Sequence, residues 1–391
     1  MILNSAPSSS RTHIAIFGNR NAGKSSLINA ITSQNIAIVS DVRGTTTDPV
    51  EKSMELLPLG PVVIIDTPGL DDVGELGEKR VKKALGVLDK TDIALLVIDA
   101  SSEMNEYDKA IIEKFKEKEI PYVIVYNKCD IAHKKIENAF YVSSKTGENI
   151  DSLKEKLASL KPEALEEKRL VGDLIEKGDI VVLVTPIDES APKGRLILPQ
   201  QQTIRDVLDS GACAIVTRET ELKETLSCLS KKPRLCITDS QVFKLVSEIV
   251  PDDIPLTSFS ILFARKKGDL KLLAESAKAL ENLSDGDKVL ISEGCTHHRQ
   301  CGDIGTVKLP KMILKHTGKK IEFEFTSGGE FPDDVTEYKL IVHCGGCMLN
   351  DKAVKSRMEK AKAAFVPMTN YGTLIAYVTG ILDRSLAPLN L

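Results

Sequence analysis

The sequence predicts an α/β protein in which a P-loop domain is followed by two further α/β domains with parallel sheets. Apolar runs rich in β-branched residues alternate with segments of helical spacing along the chain, a pattern typical of parallel sheets covered by helices. A glycine-rich motif follows the first of these runs. The length of 391 residues exceeds what a single hydrophobic core usually holds.

Composition and charge restrict the classes of partner. The chain is 42% apolar and 28% charged, with a net charge of −4 and no tryptophan. The chain has no basic excess, and aromatic residues that could stack on bases are scarce, so nucleic acid is not an expected partner. The longest late apolar stretch, residues 372–382, is shorter than the ~20 residues of a membrane span, and no secretory signal pattern is visible at the N-terminus. We therefore expect a cytoplasmic protein that does not enter a membrane.

Changes in composition suggest the domain boundaries. A polar, highly charged segment at 161–179 separates the first domain from the rest of the chain. The predicted domains are a nucleotide-binding domain at 1–165, a dimerisation domain at 175–262 and a metal-binding domain at 265–391.

The first motif predicts a phosphate-binding loop. The run HIAIFG (13–18) reads as a strand, SSLINAI as a helix, and the residues between them match GxxxxGK[ST]. Backbone N–H groups and the helix N-terminus favour phosphate in such a loop. Lys24 would reach the β- and γ-phosphates, and the Ser25 hydroxyl would ligate Mg²⁺. The loop residues predicted to contact nucleotide are Gly18, Asn19, Asn21, Ala22, Gly23, Lys24, Ser25 and Ser26.

A second motif, PVVIIDTPG (61–69), is a buried strand followed by a turn. Asp66 is placed to hold the Mg²⁺ shell, and Gly69 to sense the γ-phosphate.

Two further motifs concern the base: NKCD at 127–130 and SSK at 143–145. The Asp130 carboxylate would accept hydrogen bonds from guanine N1–H and the exocyclic amine, which adenine cannot offer. Asn127, Lys128, Ser143, Ser144 and Lys145 would support the same base. The first domain is therefore predicted to be a P-loop GTPase domain that binds GTP.

These motifs resemble those of the GTPases typified by Era and MnmE. In that resemblance DVRGTT (41–46) is the first switch and Thr46 an Mg²⁺ ligand, although Thr47 stands where the family usually has arginine. Lys24, Thr46 and Gly69 would be the catalytic residues. Leu70 replaces the water-positioning glutamine of Ras-type enzymes, which implies slow hydrolysis. Asn21 matches the asparagine that ligates K⁺ in MnmE, which implies stimulation by potassium.

The middle domain shows no catalytic pattern. Strands are predicted at 180–186, 196–200, 213–217, 234–239 and 255–261, with helices at 202–211 and 241–250. Its cysteines stand singly. Like Cys129, the residues Cys213, Cys228 and Cys236 are interpreted as small core residues. Dimerisation or docking is the expected role.

The third domain places cysteines and histidines after two strands. Cys295 and His297 follow the run at 288–294, and His343, Cys344 and Cys347 end or follow the run at 338–343. Neighbouring parallel strands would bring these groups to one edge of a sheet, where ligands collect. In a reducing compartment this favours metal over disulfides. The residue types leave zinc and an iron–sulfur cluster open; His298 and Cys301 are interpreted as exposed or supporting groups.

The spacing Cys295-x-His297 followed by His343-Cys344-x-x-Cys347 resembles the CxH…HCxxC signature of the HydF family of FeFe-hydrogenase maturation GTPases. The late segment 366–382 is also similar to that family. The resemblance implies a 4Fe-4S cluster on Cys295, Cys344 and Cys347 with one exchangeable iron site. His297 and His343 would be supporting groups or exchangeable ligands.

The same resemblance implies a function and partners. The chain would be a homodimeric scaffold that receives a transient diiron precursor, works with two radical-SAM maturases and delivers the precursor to apo-FeFe-hydrogenase. We hypothesise that the nucleotide state gates partner association. The alternative is a ribosome- or tRNA-associated GTPase with a structural zinc site.

Overall fold

The computed structural model describes residues 7–33, 49–71, 75–131, 139–161, 168–187, 196–295 and 303–391. The chain forms two compact units, residues 1–165 and residues 166–391. Within the described ranges, none of the helices combines the length and the apolar character that a membrane crossing requires.

The first unit is a mixed sheet with helices on both faces. Its strand order is β2-β3-β1-β4-β5-β6, with β2 antiparallel to β3 and every other pair parallel. The strands are β1 (Thr12–Phe17), β2 (Val50–Leu56), β3 (Gly60–Asp66), β4 (Ile93–Asp99), β5 (Tyr122–Asn127) and β6 (Phe140–Tyr141). The helices are α1 (Lys24–Thr32), α2 (Glu75–Gly86), α3 (Glu106–Glu117) and α4 (Ile150–Ser159).

Strand β1 shows why both faces are covered. Its side chains alternate between two apolar layers, because successive strand residues point to opposite faces. Ile14 and Ile16 pack in the layer of α1 and α4, whereas Ala15 and Phe17 pack in the layer of α2 and α3. Strand β1 pairs with β3 on one side and with β4 on the other. Because the chain connections from β1 and from β3 run in opposite directions along the sheet, a crevice forms at the carboxyl end of β1.

The second unit contains two parallel sheets, with strand orders β10-β9-β7-β8 and β12-β11-β13-β14. The strands are β7 (Ile180–Val184), β8 (Cys213–Thr217), β9 (Leu235–Thr238), β10 (Leu256–Ser258), β11 (Lys288–Ser292), β12 (Glu322–Thr326), β13 (Tyr338–His343) and β14 (Met368–Asn370). The helices are α5 (Leu198–Asp209), α6 (Leu222–Ser227), α7 (Phe243–Ile249), α8 (Phe259–Lys267), α9 (Leu270–Ser276), α10 (Leu309–Thr317), α11 (Asp351–Ala363), α12 (Tyr371–Val378) and α13 (Leu382–Leu386).

One apolar core extends from Leu170 to Leu389 and includes residues of both sheets. The predicted fold class, a P-loop domain followed by α/β layers with parallel sheets, is confirmed. The predicted domain boundary near residue 265 lies inside this second unit and stays a prediction.

One predicted strand of the middle segment was wrong, and a second is shorter than predicted. Residues 196–200 open helix α5 instead, with Pro199 in the first turn and the Gln200 side chain accepting a 3.1 Å hydrogen bond from the Ile197 amide. Proline is favoured at this position because the first helical N–H groups have no partner within the helix. The strand predicted at 255–261 ends at Ser258, whose hydroxyl caps α8 by accepting from the Ile261 amide.

The cysteines interpreted as core residues divide into two groups. Cys236 lies buried in β9, and its burial raises the pKa of the thiol to about 12. Cys129 is half-buried. The interpretation was wrong for Cys213 and Cys228, which are exposed. Cys213 begins β8, the last strand of its sheet in the described structure, and Cys228 follows the end of α6.

Candidate functional site

The phosphate-binding loop joins β1 to α1, and two of its residues must be glycine. Gly18 and Gly23 have φ angles of 144° and 90°, in the region that favours glycine. A Cβ on Gly18 would lie 2.2 Å from the Val97 carbonyl oxygen, and one on Gly23 would lie 2.3 Å from Asn127 Nδ2. The loop therefore keeps its backbone close to β4 and β5.

Lys24 and Ser25 of the loop both act on Asp66, at the end of β3. Lys24 Nζ donates to the carbonyl oxygens of Gly18 and Asn19, both at 2.8 Å, and Ser25 Oγ donates to Asp66 Oδ2 at 2.8 Å. Burial raises the pKa of Asp66, although the Ser25 hydrogen bond and the Lys24 charge act in the opposite direction. Among the described residues, Asp66 Oδ1 is buried without a hydrogen-bond partner. A hydroxyl beside an unsatisfied carboxylate oxygen suits Mg²⁺, which prefers oxygen ligands.

The base-recognition residues are joined to this loop. Asn127 is fully buried, its Nδ2 donates to Ala22 O at 3.3 Å, and its Oδ1 accepts from the Ser144 amide at 3.1 Å. The exposed Asp130 accepts from Ser143 Oγ at 2.7 Å. The structure thus brings the NKCD and SSK motifs together at the carboxyl end of β5, with the Asp130 carboxylate at the surface.

Lys128 contacts the backbone of the phosphate loop at Asn21. Its φ angle is 65°, and its Nζ donates to Asn21 O at 2.7 Å and to Asp99 Oδ2 at 2.6 Å. Burial raises the pKa of Asp99, but hydrogen bonds from Lys128 and Ser101 outweigh it, so that the pKa lies below its usual range. Lys128 therefore connects the carboxyl ends of β4 and β5 to the phosphate loop.

Other predicted residues of this site have different surroundings. Asn21 and Lys145 are exposed, and Ser26 is half-buried. Gly69 is buried, and a Cβ there would lie 2.5 Å from Arg20 Cγ. Leu70 packs in the apolar layer of α2 and α3. Thr46 and the first switch at 41–46 lie outside the described residues.

Asp108, on α3, also supports the phosphate loop, although it was not among the predicted site residues. Its Oδ1 accepts from Asn19 Nδ2 at 3.2 Å, and it forms a reciprocal capping pair with Asn105 at the helix start. Burial raises the pKa of Asp108, as does the negative charge of Asp71, while the Asn105 amide lowers it. The signal was present in the spacing of Asn105 and Asp108, which is typical of a capping box.

A second candidate site lies at the carboxyl ends of β11 and β13. The two strands are parallel neighbours, with Ser292 opposite His343. Cys344 Sγ accepts two backbone hydrogen bonds, from the Gly294 amide at 3.0 Å and the Gly346 amide at 3.3 Å. Burial raises the pKa of the Cys344 thiol, and these two amides act against the increase. The half-buried Cys295 follows Gly294 directly.

The three predicted cysteine ligands thus share one edge of the sheet. Cys347 is half-buried, and burial together with Cys344 raises the pKa of its thiol to about 11. In the described part of the chain, no three His, Cys, Asp or Glu side chains lie close enough to hold a metal ion. His297, His298 and Cys301 lie outside the described residues.

His343 is buried and has both ring nitrogens engaged. Nδ1 lies 2.7 Å from Cys344 O, and Nε2 lies 3.0 Å from Arg357 Nη1. Because arginine only donates, Nε2 accepts and the Nδ1 hydrogen is donated to the carbonyl. Burial lowers the pKa of His343 to about 3, and the Arg357 charge adds to this effect. The imidazole is therefore neutral and hydrogen-bonded on both sides.

Two buried cations near the cysteines were also missed. Arg357 donates to Ser292 Oγ at 3.2 Å and to Gly328 O at 2.7 Å. Lys267 donates to the carbonyl oxygens of Gly346, at 2.8 Å, and Leu349. Burial lowers the pKa of Lys267 to about 8. Arg357 lies near the exposed Lys355 and Glu359, and Lys267 follows the half-buried Arg265 and Lys266, so no local pattern distinguished either residue from its charged neighbours.

Comparisons with protein families match three segments of the chain. Residues 13–128 match the family described as 50S ribosome-binding GTPase. Residues 170–268 match the hydrogen maturase F dimerization domain, and residues 271–388 match the hydrogen maturase F tetramerization domain. The latter two together cover more than half of the chain. The chain belongs to the hydrogen maturase F family. The predicted family and the predicted P-loop GTPase domain are confirmed, and the two later segments match domains that are named for oligomerisation.

Individual curated relatives match about a third of the chain. The tRNA modification GTPase MnmE of Lactobacillus helveticus is 45% identical over 124 residues, which are 31% of this chain and 26% of the relative. GTPase Der of Mycoplasmopsis pulmonis is 36% identical over 141 residues, 35% of this chain and 32% of the relative. The chain therefore spans about a quarter to a third of the length of these curated relatives. The crystal structure of Aquifex aeolicus Era bound to GDP and AlF4⁻ is 20% identical, covers 56% of this chain and 98% of its own, and has a TM-score of 0.36.

Proposed function

We propose that this hydrogen maturase F family member is a GTP-hydrolysing scaffold that holds a 4Fe-4S cluster and delivers a diiron precursor to apo-FeFe-hydrogenase. Lys24 would contact the β- and γ-phosphates, and Asp130 would select guanine. Ser25 and Asp66, with Thr46, would hold Mg²⁺, which neutralises charge on the phosphates when bound. Leu70 packs in the core and so offers no polar group to an attacking water, which fits slow hydrolysis. Asn21 would ligate K⁺.

The observation that carries the cluster assignment is the pair of amide donors on Cys344 Sγ, one from the residue that precedes Cys295. Backbone donors to sulfur are typical of iron–sulfur sites, where they stabilise thiolate and set the potential. Cys295, Cys344 and Cys347 would be the ligands. The two hydrogen bonds of His343 favour a supporting role for this residue over ligation, while His297 keeps either role.

The two sites would serve one process. Loss of the γ-phosphate changes the contacts of switch segments in GTPases, so the nucleotide state would decide which partner is bound. The proposed partners are two radical-SAM maturases and the apo-hydrogenase, and the proposed assembly is at least a homodimer. Partner affinities measured with GDP and with a non-hydrolysable GTP analogue test this step. Equal affinities in the two states would refute it.

Metal analysis tests the cluster. The full-length chain, purified and reconstituted anaerobically with iron and sulfide, should bind about four of each per chain, the stoichiometry of a 4Fe-4S centre, and should be brown. Cys344→Ala should lose the iron, whereas Cys213→Ala, at an exposed cysteine of the preceding domain, should keep it. A colourless protein that contains zinc would overturn the proposal and favour the ribosome- or tRNA-associated alternative.

A further inference from the structure

Lys267, in the segment that matches the dimerization domain family, reaches into the loop at 344–350, which carries Cys344 and Cys347. It ends helix α8 and is only 4% exposed. Its ammonium donates to Gly346 O at 2.8 Å and to Leu349 O, with Cys347 O at 3.5 Å. A lysine ammonium has three hydrogens, and all three carbonyls belong to this one loop.

The loop also lies along the body of α8. A Cβ on Gly345 would stand 3.4 Å from Ser260 Oγ and 3.8 Å from Phe263 Cβ. The cavity that Lys267, Phe263 and Cys344 help to line has a volume of about 10 Å³, space for about one water molecule.

The carbonyl groups satisfy the hydrogen bonds of Lys267 but do not neutralise its charge. Within the described residues, no carboxylate lies within ion-pair distance of its Nζ; Asp351 acts on it electrostatically from further away. A buried charge is costly unless an opposite charge compensates it. A centre bound by three thiolates would provide that negative charge at the adjoining loop.

We propose that Lys267 is a positioning residue of the cysteine site, which fixes the loop carrying Cys347 and supplies the positive charge that stabilises an anionic thiolate-bound centre. This inference rests on the proposed cluster. It also gives the dimerisation domain a direct part in the site, because α8 belongs to residues 170–268.

The test compares Lys267→Met and Lys267→Gln with wild type and with Lys266→Met, the neighbouring lysine on the same helix. The full-length chains are reconstituted with iron and sulfide, and two quantities are measured: the rate of iron release to a chelator and the midpoint potential from a redox titration followed by EPR. Release should be about 10–100-fold faster in Lys267→Met, the usual cost of losing a group that orients metal ligands. The potential should become more negative, since a positive charge that favours reduction is removed. Lys266→Met should match wild type.

Lys267→Gln removes the charge but keeps N–H donors on a slightly shorter side chain, so it decides the case if Lys267→Met does not fold. Its potential should still become more negative. A wild-type potential and release rate in the folded variant would overturn the inference while leaving the proposed cluster intact. A wild-type chain that binds no iron would overturn the proposed function, and the inference with it.

Discussion

The two candidate sites each contain a buried lysine that donates to the carbonyl groups of a glycine-containing loop, but the lysines come from different places. Lys24 lies six residues from Gly18, within the loop motif itself. Lys267 lies 79 residues from Gly346, at the end of a helix of another domain. The phosphate loop therefore carries its own cation, whereas the cysteine loop obtains one from its neighbour.

This difference shows how each site can be damaged. The GTP site is fixed by hydrogen bonds among loops of one sheet, such as those of Asn127 and Lys128. The cysteine site depends on the adjacent β11 and β13, on Arg357 from α11 and on Lys267 from α8. Changes in the first site should stay local, and changes around the second should affect the packing of a larger region.

The largest expected effect separates the two sites. Lys24→Ala removes the cation that would contact the β- and γ-phosphates, so GTP hydrolysis should fall by about 10²–10³-fold, the usual cost of losing one group that stabilises transition-state charge. Iron bound after reconstitution should stay at the wild-type level. Hydrolysis rates and iron analysis on the same preparation provide the measurement. A loss of iron would contradict this prediction, because it would mean that a change in the GTP site also destabilises the cysteine site.

The next effect concerns base selection. Asp130→Asn replaces an acceptor of two hydrogens with a side chain that can donate one, which suits xanthine, whose C2 carries a carbonyl oxygen. GTP affinity should fall by about 10–100-fold, since hydrogen bonds to charged groups contribute about 1.5–3 kcal/mol, and xanthosine triphosphate should bind more tightly. Nucleotide titrations measure both.

Asp151→Asn is the matched control, because Asp151 is an exposed acid on α4 that pairs only with Lys154 among the described residues. It should leave both affinities unchanged. An unchanged GTP affinity in Asp130→Asn would contradict the predicted base contact.

The same contrast explains what the sequence could predict. The phosphate loop, the Asp66 turn and the NKCD motif are contiguous, so a short pattern fixes residue type, strand end and chemistry together. The structure brings Ser25 to Asp66 and Asn127 to Ala22 as such motifs require. The parallel pairing of β11 and β13 could also be predicted from the sequence, because each of the two apolar runs is followed by cysteine and histidine residues.

Contacts made over long distances in the sequence could not be predicted. Arg357 stands in DKAVKSRMEKAKA, which looks like an exposed helix face, and yet it is buried. Only the packing of α11 against the sheet gives this side chain its partners. The strand predicted at 196–200 failed for a local reason, since Pro199 favours a helix start over a strand interior.

A smaller effect tests the cysteine site through stability. Arg357→Met leaves His343 Nε2 and Gly328 O without the donor that each has in the structure. A buried polar group that loses its partner costs about 1–3 kcal/mol, so β11 and β13 should become less stable by about that amount in the iron-free chain. Hydrogen exchange of amides in these strands should accelerate by about 10–100-fold. Amides of β1 are the internal control, and equal acceleration there would contradict a local role for Arg357.

The smallest effect tests how far the GTP site depends on α3. Asp108→Ala keeps the Asn105 cap but removes the carboxylate that accepts from the Asn105 amide, a loss of about 1 kcal/mol, and deprives Asn19 of its 3.2 Å acceptor. The GTPase domain should unfold at a slightly lower temperature, and the KM for GTP should rise with little change in kcat, because Asn19 would position the loop without touching the reacting atoms. Asp151→Ala is the control, because Asp151 lies in the first turn of α4, where no side chain caps the helix. It should change neither the unfolding temperature nor the KM for GTP. If Asp108→Ala altered stability alone, the contact with Asn19 would be structural, and the phosphate loop would owe its shape entirely to its own glycines and to Lys128.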